Sequence, residues 1–169
     1  MIISLIGMPG VGKSTVGKTL SKKLQYAFVD TDTLIEARYE GRPLYLLLEK
    51  MGEKTFLQLE EETLLALKLN DNTVLSPGGS IVYSLKAMTW LKTHSLVVFL
   101  RDTVERIQKR LVNLETRGII GLEAKGLITL YNERLPLYEH YADITVTLPY
   151  PFNKHKIVSL ICQKLGLLS

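Results

Sequence analysis

A single cysteine, Cys162, stands among 169 residues. No intrachain disulfide is possible, and a site built from several thiolates is excluded. Cys162 lies in an apolar C-terminal run with Ile157, Val158, Leu160, Ile161 and Leu165, where a small buried hydrophobe is expected. Long hydrophobic runs are also missing. The apolar start from Met1 to Ile6 meets Gly7 at once and carries no basic flank, so it reads as neither a signal peptide nor a membrane span. No membrane association and a cytoplasmic location are expected. Charge of one sign is scarce: 21 Lys plus Arg face 17 Asp plus Glu, a net charge of +4. That excess suits anionic ligands, but no basic stripe is interleaved with aromatics, so nucleic acid is not an expected partner. His94, His140 and His155 have no metal-ligand spacing, and Trp90 and the tyrosines read as packing or surface residues.

Hydrophobic residues make up 46% of the chain and charged residues 22%, the composition of one globular domain without a linker or repeat. Four β-rich apolar runs read as buried parallel strands: Ile2–Ile6, Ala27–Val29, Thr73–Leu75 and Leu96–Leu100. A weaker fifth spans Ile144–Leu148. Helical patterns are predicted over Val11–Leu24, Thr55–Leu69, Thr103–Leu111, Leu127–Arg134 and Lys154–Leu165. Strands alternating with helices imply βαβ units, hence an α/β fold with a parallel sheet covered on both faces. Glu60, Glu61 and Glu62 read as the solvated face of the second helix. Gly118, Gly121 and Gly126 punctuate a segment without strand character, read as a flap.

The most informative segment is Gly7-Met8-Pro9-Gly10-Val11-Gly12-Lys13-Ser14-Thr15, a full match to G-x-x-x-x-G-K-[ST] between a strand and a helix. Glycines let successive backbone N–H groups turn inward onto phosphate oxygens, and the helix that follows adds the positive end of its dipole. Lys13 supplies a point charge to the β- and γ-phosphates, Ser14 a hydroxyl ligand for Mg²⁺, and Thr15 a further phosphate contact. This establishes nucleotide phosphate binding as the expectation and leaves the reaction open.

Other P-loop classes fit poorly. No Asn-Lys-x-Asp reads guanine, since Asn153-Lys154 continues into His155. No apolar strand ends in Asp-Glu. The second strand instead closes on Asp30-Thr31-Asp32, where one carboxylate could hold Mg²⁺ through water and the other accept a hydroxyl proton, or one could simply cap the next helix. The third strand ends in Ser76-Pro77-Gly78-Gly79, where exposed backbone N–H groups could meet an anionic acceptor, or merely turn the chain. Arg117 sits in the flap and Arg110 ends the helix before it; a cation there could cover the γ-phosphate, or both could simply be solvent-exposed. Arg134, just before Leu135-Pro136-Leu137-Tyr138, could clamp a carboxylate or only complement a helix end.

Taken together these segments resemble the shikimate kinase family. The similarity includes Gly7–Thr15, Asp30-Thr31-Asp32, Gly52-Glu53 with Phe56 and Glu60, Ser76-Pro77-Gly78-Gly79, Arg117-Gly118-Ile119-Ile120, and Arg134-Leu135-Pro136-Leu137-Tyr138 running to Ala142-Asp143. The resemblance implies a three-layer P-loop kinase fold with a central five-stranded parallel sheet, a substrate-binding subdomain over 33–60 and a lid over 111–126. It implies ATP with Mg²⁺, shikimate as acceptor, and a monomer. Gly7, Gly10, Val11, Gly12, Lys13, Ser14 and Thr15 would hold the phosphates, with Ser14 and Asp30 on the metal. Arg110 would pack on adenine and Arg117 would swing over the phosphates. Lys13, Asp32 and Arg117 would be the catalytic groups, and Asp32, Gly78, Gly79 and Arg134 the acceptor's contacts. Three positions depart from the family pattern. Leu57 stands where an arginine usually makes a second carboxylate clamp, Ser80 replaces the third glycine of a Gly-Gly-Gly run, and Gly118-Ile119-Ile120 replaces Pro-Leu-Leu. Lys54 or Arg42 could supply the missing cation. A kinase for another hydroxy acid such as gluconate, or a nucleotide-binding regulator without transfer, are the competing expectations.

Overall fold

The computed structural model describes residues 1–111 and 118–167. Five strands form one parallel sheet: β1 (Ile2–Ile6), β2 (Ala27–Asp30), β3 (Thr73–Ser76), β4 (Leu96–Arg101) and β5 (Ile144–Thr147), in the order β2-β3-β1-β4-β5. Alternate residues of each strand point to opposite faces, and the two sides of the sheet are filled accordingly. Ile3, Leu5, Val74, Val98 and Leu100 join one core with Val16 and Leu20 of α1 (Lys13–Leu24) and Ile157, Val158 and Ile161 of α7 (Lys154–Lys164). Ile6, Leu75, Val97 and Phe99 join the other. Their partners there come from four helices: α3 (Leu44–Leu65), α4 (Leu85–His94), α5 (Val104–Arg110) and α6 (Leu122–Tyr141). The expected three layers are therefore present. The remaining helix, α2 (Thr31–Arg38), packs with α3 in a smaller cluster of Ile35, Leu47, Phe56, Leu59 and Ile120 beyond the sheet's C-terminal edge.

Strand order reverses at β1, whose neighbours are β3 and β4. The chain leaving β1 is the glycine-rich loop, and a crevice at such a reversal is where open α/β sheets hold ligands. The loops after β2 and β3 leave the same edge, so Asp30, Asp32, Gly78 and Gly79 converge on the glycine-rich loop.

Several element boundaries differ from expectation for local reasons. α1 starts at Lys13 rather than Val11 because Gly12, at φ +104°, is its left-handed N-cap. The predicted Thr55–Leu69 helix starts eleven residues earlier, at Leu44, and ends at Leu65. Gly52, at φ +78°, kinks it without ending it. Likewise α6 begins at Leu122 and kinks at Gly126, so the segment read as flap is helical from Leu122 onward. It also passes through Pro136 to Tyr141 instead of stopping at Arg134. α4 was not predicted at all. Its signals are Ser84, whose hydroxyl accepts from Ala87 N–H, and the apolar spacing of Ala87, Met88 and Leu91.

Leu20 is fully buried between α1 and the sheet. Leu20→Ala is expected to cost about 2–5 kcal/mol of unfolding free energy, measured by urea denaturation. A loss below about 1 kcal/mol would mean that this layer is loosely packed.

Candidate active site

The cleft at the sheet's C-terminal edge has a volume of about 520 Å³. Its walls include Pro9, Gly10, Gly12, Lys13, Ser14, Thr15, Asp32, Glu60, Gly78, Gly79, Ser80, Arg110 and Arg134. Residues from six separate segments thus share one chamber. The approach is close: a Cβ on Gly79 would lie 2.8 Å from Pro9 Cδ, so only glycine lets the loop after β3 nest against the glycine-rich loop. Asp32 and Arg134, 102 positions apart in the chain, face the same space.

On the nucleotide side, Lys13 Nζ donates to the carbonyls of Gly7 (2.9 Å) and Met8 (3.2 Å), which folds the side chain back along the loop. Burial lowers its ammonium to about 8, against the opposing pull of Asp32 and Asp30. Gly7 and Val11 do not line the cleft. Gly7 serves through its carbonyl, and Val11 is buried in the core with its N–H on Met8 O. Ser14 Oγ donates to Asp30 Oδ2 at 2.6 Å. Asp30 Oδ1 accepts from the N–H groups of Asp32 and Thr33, so Asp30 caps α2 with one oxygen and meets Ser14 with the other. The capping reading of Asp30 is therefore seen directly, and capping leaves its other oxygen to the Ser14 hydroxyl. A hydroxyl beside a carboxylate offers the hard oxygen donors that Mg²⁺ takes. Arg110 donates to Gly10 O (3.2 Å), pairs with buried Asp102 at 2.5 Å, and lies over the Phe152 ring with its Cζ 5.4 Å from the centroid. Phe152 itself backs Gly12, where a Cβ would come within 2.9 Å of its ring. Arg117 lies outside the described residues.

On the opposite wall Asp32 Oδ1 is buried and has no hydrogen-bond partner among the described residues. Burial, and then the charge of Asp30, raise its carboxyl to about 6, with Lys13 pulling the other way. Arg134 is fully buried in mid-helix rather than placed at a helix end. Its Nη2 donates to Ile120 O at 2.8 Å and its Nε to Tyr83 Oη at 3.2 Å, while Nη1 has no partner among the described residues. Tyr138, fully buried one turn on, donates to Gly79 O at 2.6 Å and so fixes the peptide that joins Gly79 to Ser80.

Several lining residues carry no site role in the sequence reading, among them Glu36, Pro43, Leu44, Glu60, Ser80 and Phe152. Glu60 is not solvated: it is 4% exposed, accepts from Ser80 Oγ at 2.5 Å, and burial raises its carboxyl to about 8. Its signal was helical spacing, because Glu60 sits four residues after buried Phe56 and four before buried Leu64. Ser80 and Phe152 gave no comparable signal. Lys54 and Arg42, which were expected to be able to replace the missing cation, are exposed and do not line the cleft.

This geometry has close counterparts. The family model described as shikimate kinase matches residues 9–165. The chain belongs to the shikimate kinase family. A shikimate kinase of Dehalococcoides mccartyi is 37% identical over 86% of this chain and 82% of its own length. A second, from Clostridium botulinum, is 37% identical over 92% and 93%. Among solved structures, the shikimate kinase of Acinetobacter baumannii in complex with shikimate superposes with a TM-score of 0.86 at 29% identity. That match covers 98% of this chain and 93% of the other. The fold shared with these shikimate kinases is the five-stranded parallel sheet flanked by helices described above.

Gly78 lies at φ −56°, open to any residue, yet a Cβ there would collide with Glu60 Oε1 and come within 3.0 Å of Asp32 Oδ1. Gly78→Ala is therefore expected to raise the acceptor's KM at least about ten-fold, with nucleotide affinity held within about two-fold. Steady-state kinetics with each substrate varied in turn checks this.

Proposed function

We propose that this shikimate kinase family member transfers the γ-phosphoryl group of ATP to a hydroxyl of shikimate, with the acceptor held between Asp32 and Arg134. The observation that carries this reading is the pair of buried, unpartnered atoms of opposite character in one cleft: Asp32 Oδ1, an acceptor, and Arg134 Nη1, a donor. A small molecule bearing hydroxyls at one end and a carboxylate at the other satisfies both at once. A phosphate or a plain sugar satisfies only one.

In this reading the nucleotide's phosphates lie along the N–H groups of Gly10, Gly12, Lys13, Ser14 and Thr15, and Lys13 swings from the Gly7 and Met8 carbonyls onto the transferred group. Ser14 and Asp30 would hold Mg²⁺, which neutralises phosphate charge when bound. Asp32 orients the acceptor hydroxyl and takes its proton as the new O–P bond forms and the bond to the β-phosphate oxygen breaks. Gly79 offers its backbone N–H, whereas the Gly78 N–H is taken by Thr31 Oγ1 at 3.2 Å, and Tyr138 holds the Gly79 carbonyl in place. Arg134 fixes the ring through its carboxylate. Positioning and charge, rather than a strong base, lower the barrier in phosphoryl transfer. Pro43, Leu44, Gly118, Ile119 and Ile120 line one side of the cleft. They belong to the proposed substrate-binding subdomain (33–60) and lid (111–126). Arg110 would support the base and Arg117 the phosphates. No helix among the described residues is long and apolar enough to cross a membrane. A cytoplasmic monomer is proposed.

The sign of the pH dependence follows from Asp32. Its carboxyl must be ionised to accept a proton, so kcat is expected to fall as pH drops through about 6. Asp32→Asn is expected to lower kcat by about 10²–10⁴-fold and to remove that acid limb. Both are read by ADP release in a coupled assay with shikimate. An absence of shikimate-dependent ADP release by the unaltered protein would overturn the reading. Arg134→Lys keeps the buried charge but loses the fork geometry. It is expected to raise the KM for shikimate about ten- to hundred-fold and leave the KM for ATP within about two-fold.

A further inference from the structure

With Leu57 in place of the family's usual arginine, the cleft has one fewer cation for an acidic substrate. Leu57 packs into the small cluster with Phe56 and Leu59 and does not reach the cleft. Glu60, one turn further along α3, is consequently an acid without a cationic partner within hydrogen-bonding distance among the described residues. Its Oε2 accepts from Ser80, the residue that replaces the third glycine of the family's run. Its Oε1 lies against the Cα of Gly78, on the side toward Asp32 Oδ1. The groups facing it are Asp32 from α2, Lys13 from the start of α1, and Arg134 and Tyr138 from α6. Burial is the largest influence on it and outweighs both cations, leaving the carboxyl near 8.

We propose that Glu60, anchored by Ser80, is a neutral carboxylic acid in the working enzyme and donates a hydrogen bond from Oε1 to the bound substrate, taking over the donor role that residue 57 does not fill. Ser80 donates to Oε2, so the proton belongs on Oε1, the oxygen on the Gly78 side of a residue that lines the cleft. A buried acid kept neutral can donate where an anion would repel a carboxylate-bearing ligand. An anionic substrate beside it raises its proton affinity further, so binding and protonation reinforce each other. Ser80 and Leu57 then form a matched pair. The serine holds an acid that no arginine holds, and the leucine leaves that acid uncharged. The inference rests on the reading of the cleft as the site of an acidic acceptor.

The protonation state is testable without substrate. The folded-state value of Glu60, about 8, lies above its unfolded value of 4.5, so its contribution to stability is complete below about 4.5 and is lost as pH rises through about 8. Asp32 is half-way through the same change at about 6 and has nearly completed it by about 7, and Lys13, lowered to about 8, adds stability chiefly near and above that value. Between about pH 6.5 and 7.5 the slope is therefore mostly that of Glu60. Urea midpoints are expected to fall across that window in the unaltered protein and to stay level in Glu60→Gln. Equal slopes in the two proteins would overturn the proposal.

The donor role is read from KM. The KM for shikimate is expected to rise about ten-fold or more between about pH 7 and pH 9, while the KM for ATP reports Lys13 separately. Glu60→Gln, whose amide keeps a donor at every pH, is expected to lose that alkaline limb. Leu57→Arg places a guanidinium three residues away on the same helical face, ionises Glu60, and is expected to lose the limb as well. An alkaline limb that persists in Glu60→Gln would overturn the donor role even where shikimate is turned over. No turnover of shikimate by the unaltered protein would instead remove the reading on which the inference rests.

Discussion

The structure turns on two buried atoms left without partners among the described residues. Asp32 Oδ1 and Arg134 Nη1 are each removed from water and each unbonded by those residues. Such atoms cost about 1–3 kcal/mol apiece, more when charged. A fold retains that cost where a ligand removes it. Everything around the cleft serves to keep the two atoms apart, dry and facing one chamber. Asp30 caps α2 and sets the first turn on which Asp32 stands. Ile120 O and Tyr83 take two edges of the Arg134 guanidinium and leave the third.

The sheet supplies the convergence. Because β1 lies between β3 and β4, the loops after β1, β2 and β3 leave from one edge, and only glycine at 79 lets them touch. The stretch from Gly118 to Gly121 is tied to the same frame. Glu53 accepts from Gly121 N–H at 2.7 Å, and Gly118 lies against the backbone of Leu44 and Tyr45. The stretch around Gly118 thus rests on α3, the helix that carries Glu60.

Much of this was legible in the residues. The phosphate loop was, because strand, glycines, Lys13 and helix all obey one local rule. The parallel sheet was too, because each strand is a run of β-branched or aromatic residues between helical patterns. Asp32 was visible because it follows a strand end. Kinked helices were harder to see: Gly52 and Gly126 look like loop punctuation, and only tertiary packing carries α3 and α6 through them. Glu60 was hidden in a run of three glutamates, of which only the first falls on the buried stripe. Arg134 looked like a helix terminus because Pro136 follows it. Its full burial depends on Tyr83 and Ile120, contacts distant in sequence.

The central claim is that one small molecule satisfies Asp32 and Arg134 together. Calorimetric titration of the nucleotide-loaded protein with shikimate and with its methyl ester tests it most directly. The ester keeps the ring and hydroxyls and removes only the negative charge. The account predicts that shikimate binds at least about ten-fold more tightly than the ester. Equal affinities would contradict it, because the Arg134 guanidinium would then not be reading a carboxylate.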